Sequence, residues 1–246
     1  MKLIIDIGNT RAKIGVFTTE NKYFKAVEHA LIEDEINFIF KHYPSIKNAI
    51  ISASGEINSI WIDILRQKTA LHIFSSTSKV PFKNNYATPK TLGLDRKALV
   101  AAAVHEFPNQ NTLIIDLGTC ITYDFVDARK TYYGGAISPG VKMRFKAMNN
   151  FTANLPLLEK EINEFKSSLI GDSTEKSMFI GVFEGVIKEV QGFVNDYEDR
   201  FTNLTVILCG GDANLLAGRL KNSIFANSNF QLKGLNYILE QNSINV

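Results

Sequence analysis

The stretch LIIDIGNT (residues 3–10) has a near copy, LIIDLGTC, at residues 113–120. In each copy a short apolar run ends in Asp and is followed by Gly and a small polar residue. A short apolar run bounded by a turn is typical of a buried β-strand, and Asp and Gly are common turn residues. The two copies therefore predict two strand–turn units, with Asp6 and Asp116 at the ends of their strands.

The segments that follow the two copies have a similar order. A strand, a turn, two strands, a helix, a strand and a helix are predicted in the first half and, with some variation, again in the second. The predicted strands lie at 2–7, 12–17, 22–30, 47–54, 71–75, 112–117, 121–127, 130–138 and 204–209, and the predicted helices at 33–43, 59–69, 94–107, 140–150, 174–201 and 213–221. We interpret this order as an internal duplication of two α/β halves, 1–110 and 111–246, with a ligand held between them. The alternative is chance similarity of two ordinary strand ends.

The composition excludes several classes of protein. The 246-residue chain is 45% hydrophobic and has a net charge of +2, which is too small for a nucleic-acid surface or a polybasic membrane anchor. Its apolar runs are too short to span a membrane, and a strand at the very start leaves no room for a signal peptide. Two cysteines do not make a disulfide framework, so we expect a cytoplasmic protein.

The first strand–turn unit carries the groups that bind a polyphosphate. Gly8 lets the backbone turn and lets an anion approach closely, while the Asn9 amide, the Thr10 hydroxyl and backbone N–H groups can hold phosphate oxygens. Asp6 is placed to hold a hydrated Mg²⁺ that bridges those oxygens, and Lys13 adds positive charge. A purely structural hairpin is the alternative for this segment taken alone.

The second strand–turn unit repeats the arrangement. Gly118 and Thr119 can receive the other end of a polyphosphate, and Asp116 can bind a cation or its waters. Two such hairpins that face each other would form a clamp for a nucleoside triphosphate. The sequence contains neither a P-loop motif nor the glycine motif of dinucleotide-binding folds.

A third motif, TLGLDRKA (91–98), places Asp95 and Arg96 at the start of a predicted helix. The carboxylate is suited to accept a hydroxyl proton during phosphoryl transfer, and the guanidinium is suited to bind a carboxylate or phosphate of the acceptor. The alternative for Asp95 is that it only complements the helix dipole. The segments GGAISPG (134–140) and CGGDANLL (209–216) could bind an anion or lie against an adenine, although each is also common as a structural turn.

These motifs, in this order, resemble those of type III pantothenate kinases. The resemblance covers about residues 3–216, and that family belongs to the superfamily of acetate and sugar kinases, heat-shock chaperones and actin. The segments that carry it are DIGNTRAK, GLDR, DLGTC, GGAISPG, GDST (171–174) and CGGDA. Cys120 is a departure, because the family usually has alanine there.

The resemblance implies an α/β fold of duplicated actin-like (ribonuclease H-like) domains, with mixed central sheets flanked by helices. It also implies a homodimer in which the second chain completes the substrate pocket. The implied reaction transfers the γ-phosphate of ATP to pantothenate, with Asp95 as the proton acceptor. The implied cations are Mg²⁺, held through water by Asp6, and K⁺ or NH₄⁺, held by Asp116. The implied ATP-binding residues are Asp6, Ile7, Gly8, Asn9, Thr10, Arg11, Ala12, Lys13 and Thr119. The implied pantothenate-binding residues are Tyr86, Gly93, Leu94, Asp95, Arg96 and Thr174.

Two alternatives stay open from the sequence. One is another small-molecule kinase of the same superfamily, acting on a sugar or acetate. The other is a non-catalytic regulatory protein that binds nucleotide, although the intact GLDR segment argues against it because a nucleotide switch needs no base there.

Overall fold

The computed structural model of the chain describes residues 1–8, 11–18, 22–158, 169–213, 223–225 and 229–243. A short 3₁₀ turn at His29–Leu31 follows the third strand. The strands are β1 (Lys2–Ile7), β2 (Ala12–Phe17), β3 (Lys22–Val27), β4 (Asn48–Ala53), β5 (Ala70–Ile73), β6 (Lys83–Asn84), β7 (Asn111–Leu117), β8 (Cys120–Val126), β9 (Thr131–Pro139), β10 (Leu204–Cys209) and β11 (Ser223–Phe225). The helices are α1 (Ile32–His42), α2 (Ser59–Lys68), α3 (Leu94–Glu106), α4 (Val141–Asn150), α5 (Thr174–Arg200) and α6 (Phe230–Asn242).

The first of two compact units takes in the described residues within 1–109, 128–133 and 229–246. Its sheet has the strand order β3-β2-β1-β4-β5, in which β2 is antiparallel to both neighbours and β4 is parallel to β1 and β5. Helix α6 belongs to this unit and packs against α3 and the strands β1, β2 and β4. The predicted boundary at residue 110 stays a prediction.

The second unit takes in the described residues within 110–127 and 134–228. Its strands run in the order β11-β10-β7-β8-β9, with β8 antiparallel to β7 and β10 parallel to both β7 and β11. Read from the opposite edge, this strand order repeats that of the first sheet, and β8, β7, β10 and β11 have the same relative directions as β2, β1, β4 and β5. The repeated strand–turn unit therefore reflects a repeated topology in which β1 and β7 are the equivalent central strands.

Alternation along the central strands determines which face each aspartate lies on. Leu3, Ile5 and Ile7 of β1 belong to the hydrophobic core of the first unit. The matching residues of β7 belong to the core of the second unit, where they lie in one cluster with side chains of α4 and α5. Because successive side chains of a strand point to opposite faces, Asp6 and Asp116 both lie on the face turned away from these cores.

Three sequence predictions differ from the structure or fall outside it. The strand predicted at 22–30 ends at Val27, because β3 pairs only with β2 and the last register pair joins Val27 to Ala12. No strand is predicted within 76–93, yet this segment contains the two-residue strand β6, which pairs with the first residues of β9, a partner far along the chain. The helix predicted at 213–221 lies outside the described residues except at its first position.

No helix in the described part of the chain combines the length and the apolar character needed to cross a bilayer.

Candidate active site

The first hairpin joins β1 to β2 through a four-residue loop, residues 8–11. Asp6 lies next to the last residue of β1, is only 7% exposed, and is paired in register with Lys13 of β2 and Ser52 of β4. Paired residues of neighbouring strands point to the same face. The Asp6 carboxylate and the Lys13 ammonium group therefore share the face that lies away from the core.

The loop of the first hairpin is held by two hydrogen bonds. The Gly8 N–H donates to the Arg11 carbonyl over 3.1 Å. The Gly8 carbonyl accepts from Nε2 of His29, which lies in the 3₁₀ turn after β3, over 2.9 Å. Sequence reasoning missed His29, and no local signal identifies it, because the contact depends on how β3 returns to the hairpin.

The remaining residues assigned to ATP on this hairpin differ in exposure. Ile7 and Ala12 are buried and form the last pair of the strand ladder, so they can offer only backbone groups. Arg11 is exposed and Lys13 is partly exposed, so both side chains can reach an anion. Asn9 and Thr10 lie outside the described residues.

The second hairpin has a tighter turn of only two residues, Gly118 and Thr119. The Gly118 N–H donates to the Cys120 carbonyl over 3.1 Å, and Thr119 is exposed at the tip. Asp116 pairs in register with Thr122, whose hydroxyl oxygen is buried and has no hydrogen-bond partner among the described residues. A carboxylate and a hydroxyl oxygen therefore lie side by side on the face away from the core.

Two glycine turns close tightly on this second hairpin. The Gly140 N–H donates to the Thr119 carbonyl over 3.0 Å, and a Cβ at Gly140 would lie 2.2 Å from the Gly118 carbonyl oxygen. Gly210 has a φ of 94°, and a Cβ there would lie 2.4 Å from the Leu117 carbonyl oxygen. Gly140, the last residue of GGAISPG, and Gly210, in the described part of CGGDANLL, thus pack against the hairpin with their backbones.

Asp212 follows the second of these turns and lies beside the same hairpin. Its N–H donates to the Leu117 carbonyl over 3.0 Å. Burial raises the pKa of its carboxyl, and the positive charge of Lys142 near the start of α4 lowers it in part. A second acidic side chain therefore belongs to the surroundings of Asp116, and sequence reasoning did not single it out.

The motif that contains Asp95 forms the start of α3 in the first unit. Gly93 precedes the helix, Leu94 is its first residue, and the exposed carboxylate of Asp95 accepts from the Arg96 N–H over 2.8 Å. A Cβ at Gly93 would lie 2.4 Å from Oδ1 of Asp95. The glycine thus leaves room for the carboxylate while keeping it open to solvent.

The residues beside Asp95 form a small aromatic and cationic cluster. Arg96 is 5% exposed, and its guanidinium lies 5.6 Å from the centre of the Tyr86 ring, in the range of a cation–π contact. Tyr86 stacks in turn on Tyr132, with ring centres 6.1 Å apart. Lys97, the next residue, is buried and donates to the Ser76 carbonyl over 3.0 Å, and burial lowers the pKa of its ammonium group.

Thr174 lies in the second unit, at the first turn of α5 and after the capping residue Ser173. It lines an open cleft of about 550 Å³. The other residues of the cleft are Met148, Leu155, Gly171, Asp172, Ser173, Ser177 and Met178. The structure thus brings Tyr86, Gly93, Leu94, Asp95 and Arg96 together in the first unit, and it places Thr174 with a separate group of residues in the second.

Two sheets of one topology, each with an aspartate and a glycine turn at its central hairpin, define a protein of the duplicated actin-like (ribonuclease H-like) fold class. Solved structures share this fold over the chain. A glucokinase from an Antarctic psychrotroph has a TM-score of 0.53 at 13% identity, with 98% of this chain and 99% of that chain covered. A protein from Campylobacter jejuni assigned to the Baf family of transcriptional activators has a TM-score of 0.59 at 19% identity, with 98% of both chains covered. At such identities the likeness shows the fold alone.

Sequence comparison identifies the family within this class. The family model described as type III pantothenate kinase matches residues 2–196. A type III pantothenate kinase from Christiangramia forsetii is 47% identical over 98% of this chain and 99% of its own length. One from Flavobacterium johnsoniae is 44% identical over 96% of both. The chain belongs to the type III pantothenate kinase family.

Proposed function

We propose that this pantothenate kinase uses Asp95 as the general base when it transfers the γ-phosphate of ATP to the primary hydroxyl of pantothenate. Asp95 takes the hydroxyl proton while the hydroxyl oxygen bonds to the γ-phosphorus and the bond to the leaving ADP breaks. The product is 4′-phosphopantothenate, so the reaction begins coenzyme A synthesis. The observation that carries the proposal is the exposed Asp95 carboxylate at the start of α3.

The two hairpins are the proposed phosphate-binding elements. On the first, backbone groups of residues 6–13 and the side chains of Arg11 and Lys13 would hold the triphosphate. On the second, the exposed Thr119 would make a further contact. This assignment is supported by the equivalent positions of the two hairpins in sheets of the same topology. Phosphoryl transfer depends mainly on positioning and on neutralising charge, which these groups would provide.

Two cations belong to the proposal. Asp6 would hold Mg²⁺ through water, in keeping with the preference of Mg²⁺ for one or two carboxylates together with phosphate oxygens. Asp116 would hold K⁺ or NH₄⁺. The buried, unpartnered hydroxyl oxygen of Thr122 beside Asp116 fits such a cation, because K⁺ is bound by oxygen atoms that replace its hydration shell. When bound, the cations would neutralise phosphate charge.

The acceptor is proposed to bind at the residues beside the base, with Thr174 as a further contact. Gly93, Leu94 and Arg96 flank the base, and the Arg96 guanidinium, oriented by Tyr86, is suited to the carboxylate of pantothenate. Thr174 would add a contact from the cleft at the start of α5.

A homodimer is proposed in which the partner chain completes the acceptor site. Two large apolar side chains near the cleft are strongly exposed, Phe151 at 87% and Ile170 at 82%. Helix α5 also carries Gly181 and Gly185 one turn apart, each with open space where a Cβ would be. Exposed apolar side chains, and helix glycines that permit close backbone approach, are each suited to pairing with a second copy. Sedimentation velocity at micromolar concentration checks this, and a monomer there would contradict it.

A cytoplasmic location is part of the same proposal. Its support is the cysteine content of the sequence, since two cysteines, Cys120 and Cys209, do not make a disulfide framework.

The test of the base is Asp95→Asn. We expect turnover to fall by about 10²- to 10⁴-fold, because proton transfer contributes on that order, while the affinity for ATP stays near that of the wild type. An ADP-release assay with pantothenate, together with calorimetric titration of ATP, measures both quantities. Asp63→Asn, at an exposed position on α2, is the matched control and should keep full activity.

Near-normal turnover of Asp95→Asn would remove Asp95 as the base. A thermal-shift and turnover panel with pantothenate, N-acetylglucosamine and acetate tests the substrate. Selectivity for the sugar or for acetate would contradict the proposed reaction, and ATP binding without turnover on any acceptor would favour the regulatory alternative.

A further inference from the structure

Three groups converge on the carboxylate of Glu189, in the middle of α5. The Tyr123 hydroxyl donates over 2.8 Å and the Ser138 hydroxyl over 2.5 Å, both to Oε1. Arg144 donates through Nη2 to Oε2 over 2.6 Å. These contacts join β8, β9, α4 and α5 within the second unit.

The electrostatics keep the cluster in one protonation state at neutral pH. Burial raises the pKa of the Glu189 carboxyl, but the hydrogen bonds from Arg144, Ser138 and Tyr123 and the charge of Arg144 outweigh that effect and lower it. Burial and the adjacent Glu189 raise the pKa of the Tyr123 phenol. Glu189 is therefore an anion and Tyr123 a neutral donor. Hydrogen bonds that involve an ionised partner are stronger than neutral ones, so the cluster holds β8, β9 and α4 strongly to α5.

The cluster fixes the segment that leads to Gly140. Ser138 is held by Glu189 directly. The next residue, Pro139, accepts through its carbonyl from Nε of Arg144 over 2.8 Å, and Arg144 is itself held by Glu189. The chain then reaches Gly140, whose N–H donates to the Thr119 carbonyl over 3.0 Å.

The contact at Gly140 leaves little freedom for adjustment. A Cβ there would lie 2.2 Å from the Gly118 carbonyl oxygen and 2.6 Å from the Thr119 carbonyl oxygen. The backbones of the two segments are thus packed against each other. A shift of Ser138 or Pro139 would therefore be transmitted to the turn that carries Thr119.

We infer that Glu189 is a positioning residue that sets the turn at Gly118 and Thr119 for the nucleotide phosphates, acting through Ser138, Arg144 and the backbone of Gly140. The inference rests on the proposed role of Thr119 in ATP binding. Glu189 acts on the geometry of the second hairpin and leaves the acceptor residues of the first unit unchanged. Displacements of about 1 Å at a positioning element can cost on the order of 10²-fold in rate, so a smaller displacement should still be measurable.

The test is Glu189→Gln, which keeps the side-chain shape but removes the charge that holds Arg144. We expect KM and the calorimetric dissociation constant for ATP to rise by about tenfold. The KM for pantothenate and kcat at saturating ATP should change by less than about twofold, because the base and its neighbours lie in the first unit and Thr174 lies about four helical turns before Glu189 on α5. Arg144→Gln should give the same pattern, and the double variant should be no worse than either single variant, because both remove one contact.

Glu198→Gln is the matched control, an exposed glutamate on the same helix, and should leave every constant unchanged. If Glu189→Gln does not fold, Ser138→Ala removes one hydrogen bond of the cluster and should raise the dissociation constant for ATP by a few fold. A role confined to stability would lower the melting temperature and leave the ATP constants of the folded protein unchanged, and that result would overturn the inference.

The outcomes separate this inference from the proposed function. Normal ATP constants in Glu189→Gln, in an enzyme whose wild type phosphorylates pantothenate, overturn only the inference. A Thr119→Val variant with unchanged ATP affinity overturns the role of Thr119 and the inference with it. A wild-type protein that does not bind ATP overturns both proposals.

Discussion

The two aspartate-tipped hairpins occupy equivalent positions in sheets of the same topology, yet they are built differently. The first has a four-residue loop at 8–11, held by one backbone hydrogen bond and by the exposed side chain of His29. The second has a two-residue turn at 118–119, enclosed by the backbones of Gly140 and Gly210. We call the first the open hairpin, after the exposed Arg11 and His29 among its described residues, and the second the closed hairpin, after the backbones packed against it.

This difference leads us to expect different roles for the two hairpins in binding the nucleotide. The described part of the first loop carries the exposed side chain of Arg11, whereas the second turn is packed against the backbones of Gly140 and Gly210. Preorganised groups need no rearrangement when charge develops during a reaction. The two hairpins thus have similar sequences, and tertiary packing encloses the second one.

The largest expected effect is the loss of stability when a glycine packed against the closed hairpin is replaced. It tests whether that hairpin is packed more tightly than the open one. Gly210→Ala should lower the free energy of unfolding by about 3 kcal/mol or more, because it combines a positive φ with a contact of 2.4 Å to a backbone oxygen. Gly8→Ala, whose Cβ would lie 3.2 Å from the Arg11 carbonyl oxygen, should cost about 1 kcal/mol or less. Urea unfolding measures both, with Gly211→Ala as the control because nothing lies within 4 Å of its Cβ position. Equal midpoints for Gly210→Ala and the wild type would show that the second hairpin is not closed in.

A second test asks whether the two aspartates have different cation roles. Asp116→Asn should weaken the activation by K⁺ by about 10- to 100-fold and leave the Mg²⁺ requirement unchanged, whereas Asp6→Asn should do the reverse. Titrations of activity with each cation at fixed ATP measure this, and the paired variant serves as the control in each case. An unaltered K⁺ response in Asp116→Asn would remove the assigned role.

A smaller effect is expected at the open hairpin. His29→Ala removes a hydrogen bond to the Gly8 carbonyl, which is worth about 1 kcal/mol, so KM for ATP should rise by roughly fivefold. His42→Ala is the control, since His42 is also exposed and bonds a carbonyl, that of Phe38, within its own helix. If both variants have the wild-type KM, the imidazole does not support the loop.

The smallest expected effect is a dependence of the free energy of unfolding on acidic pH. It comes from Glu189, which holds the segment packed against the closed hairpin. The folded-state pKa of Glu189 lies below the usual value of 4.5, so its stabilising contribution is present above that pH and is lost as pH falls through the folded-state pKa. Urea midpoints of the wild type and Glu189→Gln should therefore differ at pH 7 and converge below pH 4.5. If the difference in urea midpoint between the wild type and Glu189→Gln stayed constant with pH, it would contradict the lowered pKa of Glu189.

Much of the fold could be predicted from local patterns. The strands at 2–7 and 12–17 and the long helix from residue 174 are confirmed within a residue, because burial imposes a period of two on strands and about 3.6 on helices. The end of the third strand was wrong because it depends on where the partner strand stops. Of the predicted site, Tyr86, Asp95 and Arg96 could be placed in one group because only a short loop separates them.

The sequence by itself determined the two aspartate-tipped strand ends, the repeated order of elements and membership in a kinase family, since short contiguous motifs carry all three. Only the tertiary structure decided that His29 bonds one hairpin and that Glu189, through Arg144, bonds the segment packed against the other. Those contacts join residues 21 and 45 positions apart. No local period encodes them, because they arise only when packed helices and strands bring distant side chains within hydrogen-bond range.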